Sequence, residues 1–551
     1  MALASEVQAA ERVDVAVVGA GFAGMYALHS LRQQGFSVRV FERGGDVGGV
    51  WYWNRYPGAR CDIDSMEYSY GFSEALQQEW EWTERFASQP EILRYAQHVA
   101  DRFDLRKDIR FQAEVKSATF DQAAARWDIV TGDGARTNAQ FLILAVGCLS
   151  NASIPAIPGM ESFRGDIYHT GRWPHEGVNL AGKRVGLVGT GSSGVQATPL
   201  IAEHAARLVV FQRTATYTVP ARNAPLDPEY VRRIKSDYAG FRRRNRQMPG
   251  GAGADRIPPE RTSIFALNPE ERERAFLARW QAGGMGLQST FTELRTDLEA
   301  NEFLADFMRR QIRRIVADPE RAEILTPKHV VGCKRMCLDS GYYETFNRSN
   351  VDVVDVSRNP IEAFTEDGLR VGDKVHPLDC VIFATGYDAM TGAMLAIDIR
   401  GRNGQSLRDA WSAGPRTYLG LGTAGFPNLF VIAGPGSPSV LANVIVAIEQ
   451  HVEWLTGCLE HMRRQGLAAI EATLPAQDAW VDHVNAVAEQ TVYTRCNSWY
   501  LGANIPGKPR VFMPLIGFPA YVQKCDDVAA RGYEGFQFTP AERVASRRAV
   551  C

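Results

Sequence analysis

The sequence predicts an α/β fold: two dinucleotide-binding (Rossmann-like) units, with a helical insertion in the second. Three observations carry this. A glycine-rich turn, Gly19-Ala20-Gly21-Phe22-Ala23-Gly24, follows the apolar run Val13–Val18, and a second, Gly189-Thr190-Gly191-Ser192-Ser193-Gly194, follows Val185–Val188. Each has glycines at first, third and sixth place between a strand and a helix start, which lets backbone amides approach a pyrophosphate at the helix N-terminus. Downstream of both, Arg222 to about Asp318 is charged, helically spaced and free of such turns.

In the first unit, apolar spacing through Tyr26, Leu28 and Leu31 marks the helix, and a second strand, Ser37–Phe41, delivers Glu42 eighteen residues after Gly24. There a dinucleotide fold places the acid that takes the ribose hydroxyls, and an acid suits FAD or NAD while repelling a 2′-phosphate. Gly48 to Asp62 is aromatic and charged together. It reads either as a packed loop or as a cofactor lining, with flat rings against an isoalloxazine and Arg60 and Asp62 at the reaction centre. Phe111–Val115, Trp127–Thr131 and Phe141–Ala145 read as strands, and Asn151–Met160, with Pro155 and Pro158, as a linker.

In the second unit, the strand Leu208–Phe211 ends in Gln212-Arg213-Thr214. A cation and a hydroxyl stand where the first unit has Glu42, which suits a 2′-phosphate and therefore NADP. FAD on the first unit and NADP(H) on the second is the economical assignment. Cys380–Ala384, closed by Thr385-Gly386-Tyr387, returns the chain to the first unit; Gly434–Leu441 then leads into a helix over Ile445–Trp454. The expected domains are 1–148 with 385–551 for FAD, 149–221 with 330–384 for NADP, and 222–329 as the helical insertion.

Composition excludes several classes. The chain of 551 residues is long enough for several domains or one large discontinuous fold. It is 45% hydrophobic and 23% charged with net charge −2, so no charge excess points to nucleic acid or a membrane surface. Arg242-Arg243-Arg244-Asn245-Arg246 reads as a solvated helix face. The first residues lack the basic and apolar regions of a secretion signal, and no apolar stretch reaches the roughly 18 residues of a membrane span. The nine cysteines include no Cys-x-x-Cys pair, and no histidines near Cys333 and Cys337 complete a zinc set. They read as free thiols in a reducing cytoplasm, with no metal expected. Nothing in the residues sets an oligomeric state; a single chain is the working expectation.

Four motifs have no rationale in strand or helix period alone: Phe163-x-Gly165-x-x-x-His169-x-x-x-Trp173-Pro174; Gly48-Gly49-x-Trp51 with Tyr56-Pro57-Gly58 and Asp62; Gly332-Cys333-Lys334-Arg335 ahead of Tyr342-Tyr343-Glu344; and Ser498–Lys508. With them the chain resembles, from about Val13 to Phe536, the type I Baeyer–Villiger monooxygenases, flavoenzymes that insert oxygen beside a ketone carbonyl. Related flavin monooxygenases that oxidise amines and sulfides usually carry Tyr or Phe, without the proline, at Trp173-Pro174.

The resemblance implies that NADPH reduces FAD and that a C4a-peroxyflavin attacks the ketone. The resulting Criegee adduct rearranges to an ester or lactone, with Arg335 stabilising both species and Asp62 holding Arg335. It places Lys334 on the NADP 2′-phosphate. Cofactor contacts are implied at Gly19, Gly21, Phe22, Ala23, Gly24, Glu42, Val50, Trp51, Tyr52, Trp53, Arg60, Cys61, Tyr68, Val115 and Val444. Others fall at Thr190, Gly191, Ser192, Ser193, Gly194, Gln196, Arg213, Thr214 and Trp499, and the substrate pocket at Ser439, Val440 and Leu441. His169 is expected to tie the linker rather than take part in the chemistry. Ile516-Gly517-Phe518-Pro519-Ala520 departs from the Gly-Gly-Phe of those relatives. Expected partners are a small ketone (aryl-aliphatic, cyclic or bulky) and O2. Oxidation of sulfur or nitrogen compounds with the same cofactors stays open, as does a non-catalytic flavoprotein.

Overall fold

The computed structural model describes residues 10–503, 505–508 and 517–541; Asn504 and Ile516 of the motifs above lie outside them. The first glycine turn sits in an eight-stranded sheet. Its strand Glu11–Val18 pairs in parallel with Val38–Phe41 on one side and Arg136–Leu144 on the other. Successive side chains point to opposite faces, and both faces are covered: Val15 and Val17 join one apolar core, Ala16 and Val18 another. Such two-sided burial explains an unbroken apolar run where a half-exposed strand would alternate.

The second sheet is five-stranded and parallel throughout, in the order Val351–Asp355, Arg207–Gln212, Arg184–Val188, Cys380–Phe383, Asp166–His169. The chain starts this sheet before it has finished the first. Asp398–Arg400 and Leu429–Val431 return to pair with Val115–Asp121 and Arg136–Leu144.

Between the strands Thr218–Pro220 and Cys337–Asp339 lie five α-helices, Pro228–Ser236, Tyr238–Arg246, Pro269–Ala282, Leu298–Ile315 and Pro319–Leu325. Proline opens three of them, at the position where a missing N–H costs nothing. Asn268 and Glu271 form a reciprocal capping box. The two flanking strands pair in parallel, Thr218 opposite Cys337, so Lys334 and Arg335 are delivered just ahead of a fixed strand.

Three local expectations are corrected. Phe111–Val115 is not a strand: pairing stops at Ile109–Arg110, Gln112 takes φ 54°, and the ladder resumes at Val115–Asp121. A left-handed residue turns the chain out of a ladder whatever its apolar alternation. The arginine run is only half solvated. Arg242 and Arg246, four apart and so on one helix face, turn inward: Arg242 donates to the Ser69 hydroxyl at 2.7 Å, and Arg246 meets Glu449 and Glu453. Arg243 and Arg244 remain exposed. The helix expected to end at Trp454 runs from Val444 to Arg464 and packs on the first glycine helix, Phe22–Gln33, through a Ser30–Thr456 hydroxyl contact of 3.0 Å.

That long helix carries His451, fully buried, whose Nδ1 accepts from the Ala433 amide at 2.9 Å and whose Nε2 meets the Tyr521 hydroxyl at 2.8 Å. Burial pushes its pKa down to about 3. The unfolded chain takes up this proton near its ordinary pKa and the folded chain does not, so stability is present above that value and lost as pH falls towards 3. From pH 7 to pH 5 this imidazole alone is expected to remove about 2 kcal/mol; denaturant melts at the two pH values, compared with His451→Gln, check it. Among the described residues no helix is long and apolar enough to cross a membrane.

Candidate active site

Both glycine turns have the shape their spacing implies. A Cβ on Gly24 would lie 1.8 Å from the Gly19 carbonyl oxygen, and one on Gly194 2.2 Å from that of Gly189, so each helix sits hard against its strand. The middle glycines have more room: a Cβ on Gly191 would meet nothing within 4 Å, and one on Gly21 would meet Gly49 Cα at 3.4 Å. The helices Phe22–Gln33 and Ser192–His204 start without a side-chain cap, leaving first-turn amides free for an anion. These are cradles that fit pyrophosphates.

Glu42 is buried at the end of its strand, its two carboxylate oxygens accepting from the amides of Ala20 (2.8 Å) and Gly44 (2.7 Å). It is therefore fixed at the rim of the first cradle. The single turn Val50–Trp53 abuts the same cradle, since a Cβ on the preceding Gly49 would lie 2.9 Å from Gly21 Cα. Trp51 Nε1 donates to the Tyr68 hydroxyl at 3.1 Å, and Cys61 is buried close by in the same core as Trp51 and Tyr68. Tyr52 and Trp53 pack edge-on against His175. Val115 is buried at its strand start, and Val444 is half-buried at the first turn of the long helix.

At the second cradle the Thr190 hydroxyl donates to the Thr214 carbonyl at 2.8 Å, and Ser192 Oγ lies 3.4 Å from Cys337 Sγ. Ser193 stands on the first helical turn beside it. Lys334 comes close to Arg213; burial and then this like charge both lower its pKa, and no carboxylate among the described residues offsets them. Two uncompensated cations beside a helix N-terminus favour a doubly charged anion. The Tyr56 hydroxyl donates to Gln196 at 2.7 Å and Gln196 to the Arg60 carbonyl at 3.1 Å, which docks the 56–60 turn of the first unit on the second glycine helix.

The two halves of the expected centre meet. Arg335 Nε donates to Asp62 Oδ2 at 2.8 Å, Nη2 lies 2.7 Å from the same oxygen, and Nη1 donates to the Val440 carbonyl at 3.0 Å. Both charged side chains are 23% exposed. Burial pulls the guanidinium's pKa down, yet Asp62 and Tyr500 outweigh it and the net shift is upward. Val440 and Leu441 pack with Trp499 around Ala389, Met390 and Tyr500, while Ser439 is fully buried at φ 43°, its hydroxyl donating to the Ala433 carbonyl at 3.1 Å. Arg60 does not join this centre; it pairs with Glu84 at 3.3 Å and donates to the Phe86 carbonyl. His169 is packed, its Nδ1 accepting from the Gly171 amide at 2.9 Å and its Nε2 3.4 Å from the Thr385 hydroxyl, so it ties the linker to the returning strand.

The free-thiol reading fails at one pair: Cys333 and Cys496 form a disulfide. A separation of 163 residues leaves no local sequence signal. Cys61, Cys148, Cys337, Cys380, Cys458 and Cys525 are free; Cys551 lies outside the described residues. Tyr500, Cys148 and Met390 also line this region without having been singled out. Each is an ordinary apolar or aromatic position by pattern, and only Tyr500, next to Trp499, had a neighbour that marked it.

Two dinucleotide cradles flanking a half-buried arginine–carboxylate pair define an oxidoreductase that brings two nucleotides to one reacting centre. A family described as flavin-binding monooxygenase-like matches residues 12–231. The chain is 41% identical over 527 residues to a Baeyer–Villiger monooxygenase of Pseudooceanicola batsensis, covering 94% of this chain and 95% of that one. It is 39% identical over 532 residues to the phenazine N-monooxygenase PhzNO1 of Lysobacter antibioticus, covering 95% and 96%. Among solved structures, an oxidised steroid monooxygenase bound to NADP has 48% identity and a TM-score of 0.91, covering 96% of this chain and 100% of that one. The chain belongs to the Baeyer–Villiger monooxygenases.

Proposed function

We propose that the chain converts ketones to esters or lactones with NADPH and O2, holding FAD at the first cradle and NADP(H) at the second. The observation that carries this reading is the Asp62–Arg335 pair, joined from distant parts of the chain and set against the Val440 carbonyl. FAD, reduced by NADPH, supplies the electrons with which one atom of O2 enters the substrate while the other leaves as water.

The chain's residues have the remaining tasks. First-turn amides at Phe22, Ala23 and Gly24 bind the FAD pyrophosphate, and Glu42 accepts from its ribose. Arg213 and Lys334 hold the 2′-phosphate, which distinguishes NADPH from NADH. Arg335 presents a permanent cation to the oxygen that gains charge as the carbonyl is attacked, and it is a poor proton donor. Asp62 orients that cation. Ser439, Val440 and Leu441 bound the ketone, and the apolar cluster behind them keeps water away.

Lys334→Ala is expected to raise KM for NADPH by about 10- to 100-fold, the loss of one charge-assisted contact. KM for NADH should hardly move; steady-state rates with both nucleotides check this.

A second reading, oxygen transfer to nitrogen, is favoured by the similarity to the phenazine N-monooxygenase. One experiment separates the two. The holoenzyme is given an aryl-aliphatic ketone, a cyclic ketone, a steroid-sized ketone and a phenazine, and products are weighed by mass spectrometry against NADPH consumed. Ester or lactone from a ketone supports the proposal; N-oxide alone, with no ester from any ketone, replaces it.

A further inference from the structure

The disulfide closes a stretch of chain onto the segment that carries Lys334 and Arg335. That stretch starts at Cys496 and ends at Lys508, which pairs with Asp388 and donates to the Ala389 carbonyl. Between the two ends, Trp499–Leu501 forms one 3-10 turn closed by Gly502 at φ 74°. Trp499 and Tyr500 pack there with Ala389, Met390, Val440 and Leu441. These contacts hold the stretch to residues 388–390 and to the loop whose Val440 carbonyl accepts from Arg335. The bond from Cys496 to Cys333 ties it to the opposite side, one position ahead of Lys334. The two sulfurs are not alike. Cys333 is fully buried, with His329 Nδ1 3.9 Å from its sulfur. Cys496 is half-buried, between the exposed Arg495 and Asn497.

We propose that Cys333–Cys496 is a thiol-exchange site: closed, it latches residues 496–508 beside the NADP(H) site, and its reduction frees that stretch and weakens nucleotide binding. The proposal rests on the reading of Arg213 and Lys334 as holders of the 2′-phosphate. Exchange starts at the sulfur a thiolate can reach, so the reductant is a small thiol or dithiol and its target is Cys496 Sγ. A bond forms to that sulfur as the S–S bond breaks, and the electron pair leaves on Cys333. An adjacent imidazole and cation favour the departing thiolate, which solvent then protonates. A second thiol of the reductant attacks the mixed disulfide on Cys496. In sum two electrons and two protons pass to the protein, and the reductant leaves as its own disulfide. The effect on binding is one of preorganisation. While the bond is closed, Lys334 and the Trp499 turn keep a fixed spacing; once it is open, nucleotide binding has to order them first.

The test compares the holoenzyme equilibrated with oxidised glutathione and with dithiothreitol, each removed before NADP+ binding is measured by calorimetry. Peptide mapping after alkylation should find Cys333 and Cys496 joined in the first sample and both alkylated in the second. Brief exposure of the oxidised enzyme to reduced glutathione should leave the glutathione on Cys496. NADP+ affinity is expected to be about tenfold lower in the reduced enzyme, with FAD still bound, and to recover on reoxidation. Cys333→Ser and Cys496→Ser should bind NADP+ like the reduced parent under both treatments. Any lost disulfide lowers the melting temperature, so a fall in melting temperature with unchanged NADP+ affinity marks a bond that only stabilises and overturns the proposal. Free thiols at both positions after oxidised glutathione, glutathione on Cys333, or treatment-dependent affinity in the serine variants also overturns it. If NADP+ binds neither form of the parent, the nucleotide reading itself fails and the latch with it.

Discussion

Replacing Arg335 with alanine is expected to abolish ester formation while NADPH still reduces the flavin. The loss should be at least about 10³-fold, the upper range for a single donor at a developing oxyanion, because two effects add. The attacked carbonyl loses its fixed cation, and Asp62, now without the partner that it holds at 2.8 Å, becomes an unpaired carboxylate that repels negative charge in the same space. Arg335→Lys restores charge but not the planar fork that reaches Asp62 and the Val440 carbonyl together, and an ammonium gives up its proton more readily. It is expected to recover only a small part of the rate. Stopped-flow bleaching of the flavin reads the first half-reaction, and chromatography of the ester reads the second. Near-parental ester from Arg335→Ala would place this cation away from the reacting atoms.

The second large effect is expected at Gly24. Its added Cβ would fall 1.8 Å from the Gly19 carbonyl oxygen, backbone against backbone. Neither side has a flexible end to yield, so Gly24→Ala should cost about 3 kcal/mol or more and yield protein without bound flavin. Gly21→Ala is the informative contrast. The nearest heavy atom to its Cβ is Gly49 Cα at 3.4 Å, so the chain itself can accommodate it, but the methyl fills space that a pyrophosphate needs. Melting curves with and without added FAD separate the two. Gly24→Ala should melt early in both, whereas Gly21→Ala should melt like the parent without FAD and lose the stabilisation that FAD gives.

What could be read beforehand follows the chemistry. A phosphate cradle needs backbone amides, so it leaves a glycine spacing that survives in sequence, and both cradles were legible with Glu42 and Arg213 at their rims. The Asp62–Arg335 pair spans 273 positions, which no local period encodes; it was legible only through resemblance. Arg60 looked equally suited to the centre, but Glu84, twenty-four positions on, claims it. The partner of Cys333 was not legible, because a cysteine at a packed position carries no mark until the fold brings its partner, 163 positions on, near it. Gln112 and Arg242 show the same limit at smaller scale, where a tertiary contact or one left-handed residue overrides a clean pattern.

The threading of the two sheets also sets the order in which a growing chain can assemble. Every strand of the parallel five-stranded sheet has been synthesised once Phe383 is made, whereas the eight-stranded one waits for Asp398–Arg400 and for Leu429–Val431, which lies along Leu142–Leu144. Residues made first are therefore finished last. Through nearly three hundred positions of synthesis the apolar flank of Arg136–Leu144 stands without its eventual neighbour.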